Sequence, residues 1–305
     1  MVDLLPAYKE KNIPVVLASS AYYAPYLSVT LKSLIDTASD EYNYDILILH
    51  KEIEADIQSK IKSLKSSSKN ISIRFIEVDS AINDKKYNFR PGYSAESFYR
   101  VVMMSILNHY DKTIYLDCDV IVKKSISELL TEYEISEYYV AAARDIDGIA
   151  SCVSDHERRK KYMFEFIKLS RLEDYFQSGV MIFNLKKIRE AFTIEKILDV
   201  SCASEVMFGD QDVLNALFHE KTKHIDMSWN TIIDHQRSWL ETLLLLAPVQ
   251  IVDEYLEARK HPGIIHFAGT KPWDVPDCDM AEEYWKAARQ TPFYNEIIKR
   301  WQRGK

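Results

Sequence analysis

The chain opens with short apolar runs separated by helical periodicities. Ile13 to Ser19 (IPVVLAS) reads as a buried strand, and Leu27, Leu31, Leu34 and Ile35 follow at helical spacing. Tyr44 to His50 (YDILILH) predicts a second strand, while Ile53, Ile57, Ile61 and Leu64 mark a second amphipathic helix. Ile71 to Val78 (ISIRFIEV) predicts a third strand after the polar run Lys65 to Lys69. From Ser94 the pattern is helical again, with Phe98, Val101, Val102, Ile106 and Leu107 on the buried side, and it feeds the apolar run Ile114 to Val122. This alternation predicts βαβ crossovers and an α/β fold whose mostly parallel central sheet is flanked by helices. Farther on, Tyr138 to Ala143 and Val180 to Asn184 read as strands and Asp212 to His219 as a short helix. No Gly-, Ser- or Pro-rich linker divides the chain, so one domain over 1–279 and a helical tail over 280–305 are expected.

The run Ile114 to Val122 carries Asp117 and Asp119, one residue apart. On a strand both would point to the same side, and two like charges held that close call for a counter-charge. A divalent cation supplies it, and Mg²⁺ or Mn²⁺ in oxygen-lined sites commonly also grips substrate phosphates. The plainer reading is a strand end whose acids are solvated or cap the next segment. Open α/β sheets bind ligands in the crevice outside the carboxyl ends of their strands, which is where these acids stand.

Three more stretches hold polar residues that a core does not require. Tyr175 to Asn184 places Gln177, Ser178 and Gly179 in an apolar strand, where small residues admit a ligand to the backbone or mark a bulge. Gly209 to Asn215 packs an acid, an amide and an acid at a helix start; capping accounts for one acid and leaves Gln211 and its neighbour over. Ile264 to Trp273 ends a strand in His266 and continues to Gly269 and Lys271. That order offers a metal nitrogen, a backbone amide and a phosphate-binding ammonium, although a lone His after an apolar run is more often structural.

Composition narrows the function classes. Net charge is −7 with acids and bases interspersed, so no basic field points to nucleic acid. Cys118, Cys152, Cys202 and Cys278 form no C-x-x-C pair and no zinc spacing, which fits reduced thiols in a cytoplasmic protein. The first residues lack the basic and apolar regions of a signal peptide, and the apolar stretch from Leu243 to Val252 is interrupted by Pro248 and too short to span a bilayer. From Ala281 onward Tyr284, Trp285, Phe293, Tyr294 and Trp301 mix with Lys286, Arg289, Lys299, Arg300, Arg303 and Lys305. That composition suits peripheral membrane contact, but Glu282, Glu283 and Glu296 dilute the charge and favour an ordinary docked helix with a solvated face.

Taken in order, these motifs resemble those of the family 8 retaining glycosyltransferases of the GT-A fold, which include bacterial lipopolysaccharide α-galactosyl- and α-glucosyltransferases. The likeness runs from about residue 13 to residue 274. Ser97 to Arg100 is similar to the family's arginine-bearing helix and Asp117 with Asp119 to its D-x-D. Phe176 to Leu185 matches its F-N-A-G-V-M-x-x-N-L, Asp210 to Asn215 its D-Q-D-x-L-N, and His266 to Trp273 its H-x-x-G-x-K-P-W. The resemblance implies a Rossmann-like sheet and transfer of a hexose, glucose or galactose foremost, from a UDP-sugar to a glycan, glycolipid or glycoprotein, with the α configuration kept. It implies Mn²⁺ or Mg²⁺ on Asp117, Asp119 and His266, and donor phosphates on Gly269 and Lys271. It further implies that Arg100 meets the donor sugar or its phosphate, that Asp145 meets sugar hydroxyls, and that Asp210 and Gln211 line the reacting face as the catalytic candidates. Ser19, Ser20, Tyr22, Cys118, Gln177 and Ser178 complete the expected nucleotide-sugar pocket, and a cytoplasmic location is expected with it, peripheral placement at the inner face of the membrane being the alternative.

Two departures stand out. Many bacterial members carry acid-acid-Asn where this chain has Ser20-Ala21-Tyr22, so stacking by Tyr22 or Tyr23 would have to replace a carboxylate contact to the base. Gln177-Ser178 replaces Asn-Ala. The rival readings are a haloacid-dehalogenase-like phosphatase, whose D-x-D normally opens the domain, and a non-catalytic nucleotide-sugar binder.

Overall fold

The computed structural model describes residues 4–66, 68–78, 95–154, 158–201, 206–233 and 237–304. Ser94 and Cys202, singled out above, and Lys305 of the tail lie outside the described residues. Among the described residues ten strands run in chain order: β1 (Asn12–Ala18), β2 (Asn43–His50), β3 (Ile71–Glu77), β4 (Lys112–Leu116), β5 (Val120–Val122), β6 (Val140–Arg144), β7 (Phe176–Asn184), β8 (Thr222–Ile225), β9 (Thr231–Ile232) and β10 (Ile264–His266). Seven of them form a sheet in the order β3-β2-β1-β4-β7-β6-β8, and β5-β10-β9 form a second, smaller one. Every pairing in the large sheet is parallel except the two that β7 makes with β4 and β6.

The helices Ala24–Asp36 and Ala55–Lys62 return the chain between β1, β2 and β3, as parallel pairing demands. Strands buried on both faces need apolar residues at every position, and here alternate residues feed opposite layers. Val15, Leu17, Ile46 and Ile48 join one hydrophobic cluster, whereas Val16, Leu47 and Leu49 join another.

One sequence expectation needs correction. β4 ends at Leu116 and β5 begins at Val120, so Asp117, Cys118 and Asp119 lie in the turn that carries the chain from the large sheet to the small one. Asp117 still extends the ladder to β7, its N–H donating to Gly179 O at 2.8 Å. β10 then pairs antiparallel with β5, setting His266 opposite Val120, beside Asp119.

Near the C-terminus, the helices Ala281–Ala288 and Tyr294–Arg303, with Phe293 just before the second, bury Tyr284, Ala287, Phe293 and Ile297 in the cluster that holds Val15. No helix among the described residues is long and apolar enough to cross a membrane.

Candidate functional site

The end of β4, the small residues of β7 and the end of β10 converge on three donors. One ligand atom each from Asp117, Asp119 and His266 lies within 4.8 Å of the others. His266 Nε2 is 3.3 Å from Asp119 Oδ1 and 3.8 Å from Asp117 Oδ2. Two features of the fold fit a cation here. Asp119 Oδ1 is buried with no hydrogen-bond partner among the described residues. A Cβ at Gly179 would come within 2.3 Å of His266 Cε1 and 2.7 Å of Asp117 Oδ2, so only glycine leaves the cradle open. Carboxylate oxygens with one imidazole suit Mn²⁺ or Mg²⁺ chemistry better than a soft, thiol-binding metal.

Side chains behind the triad hold it in place. His266 Nδ1 is 2.9 Å from Asn230 Oδ1, and Asn230 Nδ2 donates to Gln177 Oε1 at 2.6 Å. Gln177 Oε1 also accepts the Gly179 N–H. On the solvent side Lys271 Nζ donates to Asp119 Oδ2 and to Phe267 O. Burial works to raise the Asp119 carboxyl, but Lys271 and His266 outweigh it and hold the group below the usual carboxylate range.

Arg100 ties this cluster to the D-Q-D-x-L-N helix. Its guanidinium is buried, donates to Asp117 Oδ1 at 3.0 Å and to Ser178 O, and pairs with Asp210 Oδ2. The Tyr115 ring backs it at 4.5 Å. Burial alone would lower the Arg100 pKa; Asp117 and then Asp210 more than compensate and keep it charged. Gln211 is fixed at both ends: Oε1 accepts the Ser178 N–H at 3.0 Å, while Nε2 donates to Asp145 Oδ2 at 2.7 Å and to the Tyr175 hydroxyl at 3.1 Å. Burial, reinforced by Asp147, pushes the Asp145 carboxyl up. The remaining residues of the motif hold structure together. Asp212 accepts from the hydroxyls of Tyr162 and Tyr175 and from the N–H groups of Met207 and Phe208, and Asn215 brackets the backbone of Phe176 from both sides.

Arg100, Asp117, Asp119, Asp145, Gln177, Ser178, Asp210, Gln211, His266 and Lys271 are thus linked through contacts in one network. Gln177 is turned toward Asn230, inward from where a sugar pocket contact was expected. Cys118 is buried and hydrogen-bonded to Ala18 O, with burial pushing its thiol up. Gly269 is exposed in the loop after β10. Ser19 Oγ donates to Ser20 O, and Ser20 Oγ accepts from the Tyr23 N–H, so both hydroxyls shape the turn after β1. Tyr22 is 63% exposed, but the Arg300 guanidinium lies 4.7 Å from its ring centroid and donates to its carbonyl. Tyr23 instead packs edge-on against Trp273. Sequence reasoning missed Asn230, which follows no periodic signal in Met227-Ser228-Trp229-Asn230, and it gave Gly179 no part in a metal cradle.

Comparison with known proteins follows the same outline. The model of Glycosyl transferase family 8 matches residues 14–275. The chain is 25% identical over 277 residues to General stress protein A of Bacillus subtilis strain 168, covering 87% of this chain and 89% of that one. It is 26% identical over 200 residues to the lipopolysaccharide 1,2-glucosyltransferase of Escherichia coli K12, covering 64% of this chain and 54% of the relative. Among solved structures, the bifunctional glycosyltransferase WbbM superposes with a TM-score of 0.85 at 26% identity, and the match covers 97% of this chain but only 53% of WbbM. The galactosyltransferase LgtC, solved with donor and acceptor sugar analogues, superposes with a TM-score of 0.73 at 23% identity over 92% of this chain and 96% of its own, a likeness of fold.

Proposed function

Because the chain belongs to glycosyl transferase family 8, we propose that it moves a hexose from a UDP-sugar, UDP-glucose or UDP-galactose foremost, to a glycan, glycolipid or glycoprotein acceptor and keeps the anomeric configuration. The observation that carries this reading is the Asp117, Asp119 and His266 cluster set against the Arg100, Asp210 and Gln211 network. The three clustered residues would hold Mn²⁺ or Mg²⁺, which when bound supplies positive charge for a departing nucleoside diphosphate. Lys271 would add an ammonium to the same phosphates, a contact that gains strength as charge builds in the transition state.

On the sugar side, Gln211 offers an amide, which is a poor nucleophile. Its two ends are held by Ser178 and Asp145, so its role is to orient the sugar and support developing positive charge. A front-face route fits this arrangement: the acceptor hydroxyl attacks from the side the diphosphate leaves, and its proton passes to a leaving phosphate oxygen. Asp145, raised by burial and bonded to Gln211, would meet sugar hydroxyls. The family match leaves the phosphatase reading without support, and the retained donor cluster argues against a binding-only protein.

A panel of UDP-, GDP- and CDP-hexoses assayed for hydrolysis with Mn²⁺ and with chelator tests the proposal. UDP-glucose or UDP-galactose turnover that is lost in chelator and in Asp119→Ala is the expected result. Preference for a GDP-sugar, or full turnover in chelator, would overturn it.

A further inference from the structure

Arg300 stands on the helix Tyr294–Arg303, beyond the residues 14–275 that the family model matches. It reaches back to the turn after β1. Its guanidinium donates to Tyr22 O at 2.5 Å and lies over the Tyr22 ring at 4.7 Å and the Tyr26 ring at 5.6 Å. Glu296, one turn earlier on the helix, holds the same guanidinium at 2.6 Å. The helix is anchored by Ile297, which is buried in the core, and it packs against the helix Ala24–Asp36 that follows Tyr23.

The turn that Arg300 grips borders the donor cluster. β1 pairs in parallel with β4, so Tyr22 stands past the carboxyl end of the strand next to the one that leads into Asp117. The Tyr22 ring meets Tyr23 and Tyr26 edgewise, with centroids 6.0 and 6.2 Å away, and Tyr26 stacks at 4.1 Å on Trp273, close in sequence to Lys271. Burial and then the charge of Asp119 push the Tyr23 hydroxyl up, which sets this aromatic group within electrostatic reach of that carboxylate. Three of its four rings are committed: Tyr26 and Trp273 are buried against each other, and Tyr23 packs edge-on to Trp273. Tyr22 is the exception. It has Arg300 over one face, is 63% exposed, and meets its aromatic neighbours among the described residues only by their edges.

Resting on the donor reading proposed above, we infer that Arg300 is a positioning residue of the nucleotide site: it holds Tyr22 as the platform on which the donor base stacks, which makes the C-terminal helix a working part of donor binding. A guanidinium over an aromatic face attracts the ring and fixes it, and the bond to the Tyr22 carbonyl fixes the backbone beneath it. An exposed ring on a free turn would have to be ordered by the ligand; a ring already held spares that cost. Stacking uses the face of a base and needs no acid at its edge. That suits a turn in which Ser20 and Ala21 bring no carboxylate, and in which the Ser20 hydroxyl is engaged by the Tyr23 N–H.

The test is calorimetric titration of the full chain with UDP and, separately, with inorganic pyrophosphate, both in Mn²⁺. Tyr22→Ala should weaken UDP binding about tenfold and Arg300→Met about fivefold, while both variants bind pyrophosphate as the parent does. In a Tyr22→Ala background Arg300→Met should cost little more, because its effect runs through the ring. Lys299→Met removes the same charge from an exposed neighbour on the helix and should leave UDP binding at the parent level. Circular dichroism checks the fold, and Tyr22→Ala, at an exposed ring, keeps the test decisive if loss of Arg300 loosens the helix. An equal loss in Lys299→Met, an equal loss for pyrophosphate, or full additivity of the two changes would overturn the inference. A parent chain that binds no UDP would remove the donor assignment itself. A parent that binds UDP, with Tyr22→Ala binding it equally well, would leave that assignment standing and overturn only the role of Arg300.

Discussion

His266 Nδ1 lies 2.9 Å from Asn230 Oδ1, and the groups behind Asn230 decide which nitrogen of the ring carries the proton. The Gly179 N–H can only donate, so Gln177 must present its oxygen to it. Asn230 then meets that same oxygen with its NH₂ group, which turns its own oxygen to His266. When the ring is neutral, as a metal ligand must be, Nδ1 therefore keeps the proton and the Nε2 lone pair faces Asp117 and Asp119.

Asn230→Ala should weaken Mn²⁺ binding about 10- to 100-fold, the range found when a ligand's outer partner is lost. Calorimetric titration of the folded variant gives the answer. Parent-like affinity would mean that ring orientation is set elsewhere.

Gly179→Ala tests the cradle directly. Its new methyl group would lie where His266 Cε1 and Asp117 Oδ2 now approach, at an overpacking cost of about 1–3 kcal/mol. Mn²⁺ should raise the melting temperature of the parent chain, since a ligand that binds only the native state stabilises it. The variant should show little or no such rise. An equal rise in both would place the cation elsewhere.

Gln211→Ala should lower turnover yet leave a measurable rate, because on the proposed mechanism an orienting amide is lost and no bond-forming group is. The anomeric coupling constant of the product by proton NMR reads the stereochemistry. A β-linked product from an α-donor would contradict retention.

His224 links the fold to pH. Burial, assisted by the Arg144 charge, lowers its pKa from 6.5 to about 4, and its Nδ1 is buried with no hydrogen-bond partner among the described residues. The folded state therefore favours the neutral ring. Its stabilisation is complete above the unfolded value near 6.5 and is lost as pH falls toward 4, a span of about 3 kcal/mol. Denaturant melts between pH 7 and pH 4 should show the decline, and His224→Gln should flatten it. A decline of the same depth in the variant would assign it to other groups.

Much of the sheet was legible because strands buried on both faces are written as unbroken apolar runs. Ile13 to Ser19 is offset from β1 by one residue at each end, and Tyr44 to His50 is one residue short of β2 at its start. The unbroken apolar pattern of β7 starts only at Val180, and the sequence leaves Gln177, Ser178 and Gly179 open between strand and bulge; all three are buried strand residues, and Gln177 and Ser178 hydrogen-bond Asn230 and Gln211. The apolar run around Asp117 and Asp119 predicts a strand, where alternation would align them. A turn brings their carboxylates together with His266 instead, through the pairing of β5 with β10. The residue types of the cluster stood in the motifs. The hydrogen bonds of Asn230 could not be read there, since they depend on where a short turn comes to rest against β7 and β10.

β10 lies between β5 and β9, with His266 supplied by a segment far downstream of Asp119. A chain emerging during synthesis would hold Asp117 and Asp119 long before it holds the imidazole that completes their set. Until residue 266 has arrived and paired, the two acids have no fixed third donor, and β5 lacks its neighbour. On the proposed function, cation capture is therefore a late event in biogenesis, and fragments ending before β10 should bind manganese or magnesium poorly.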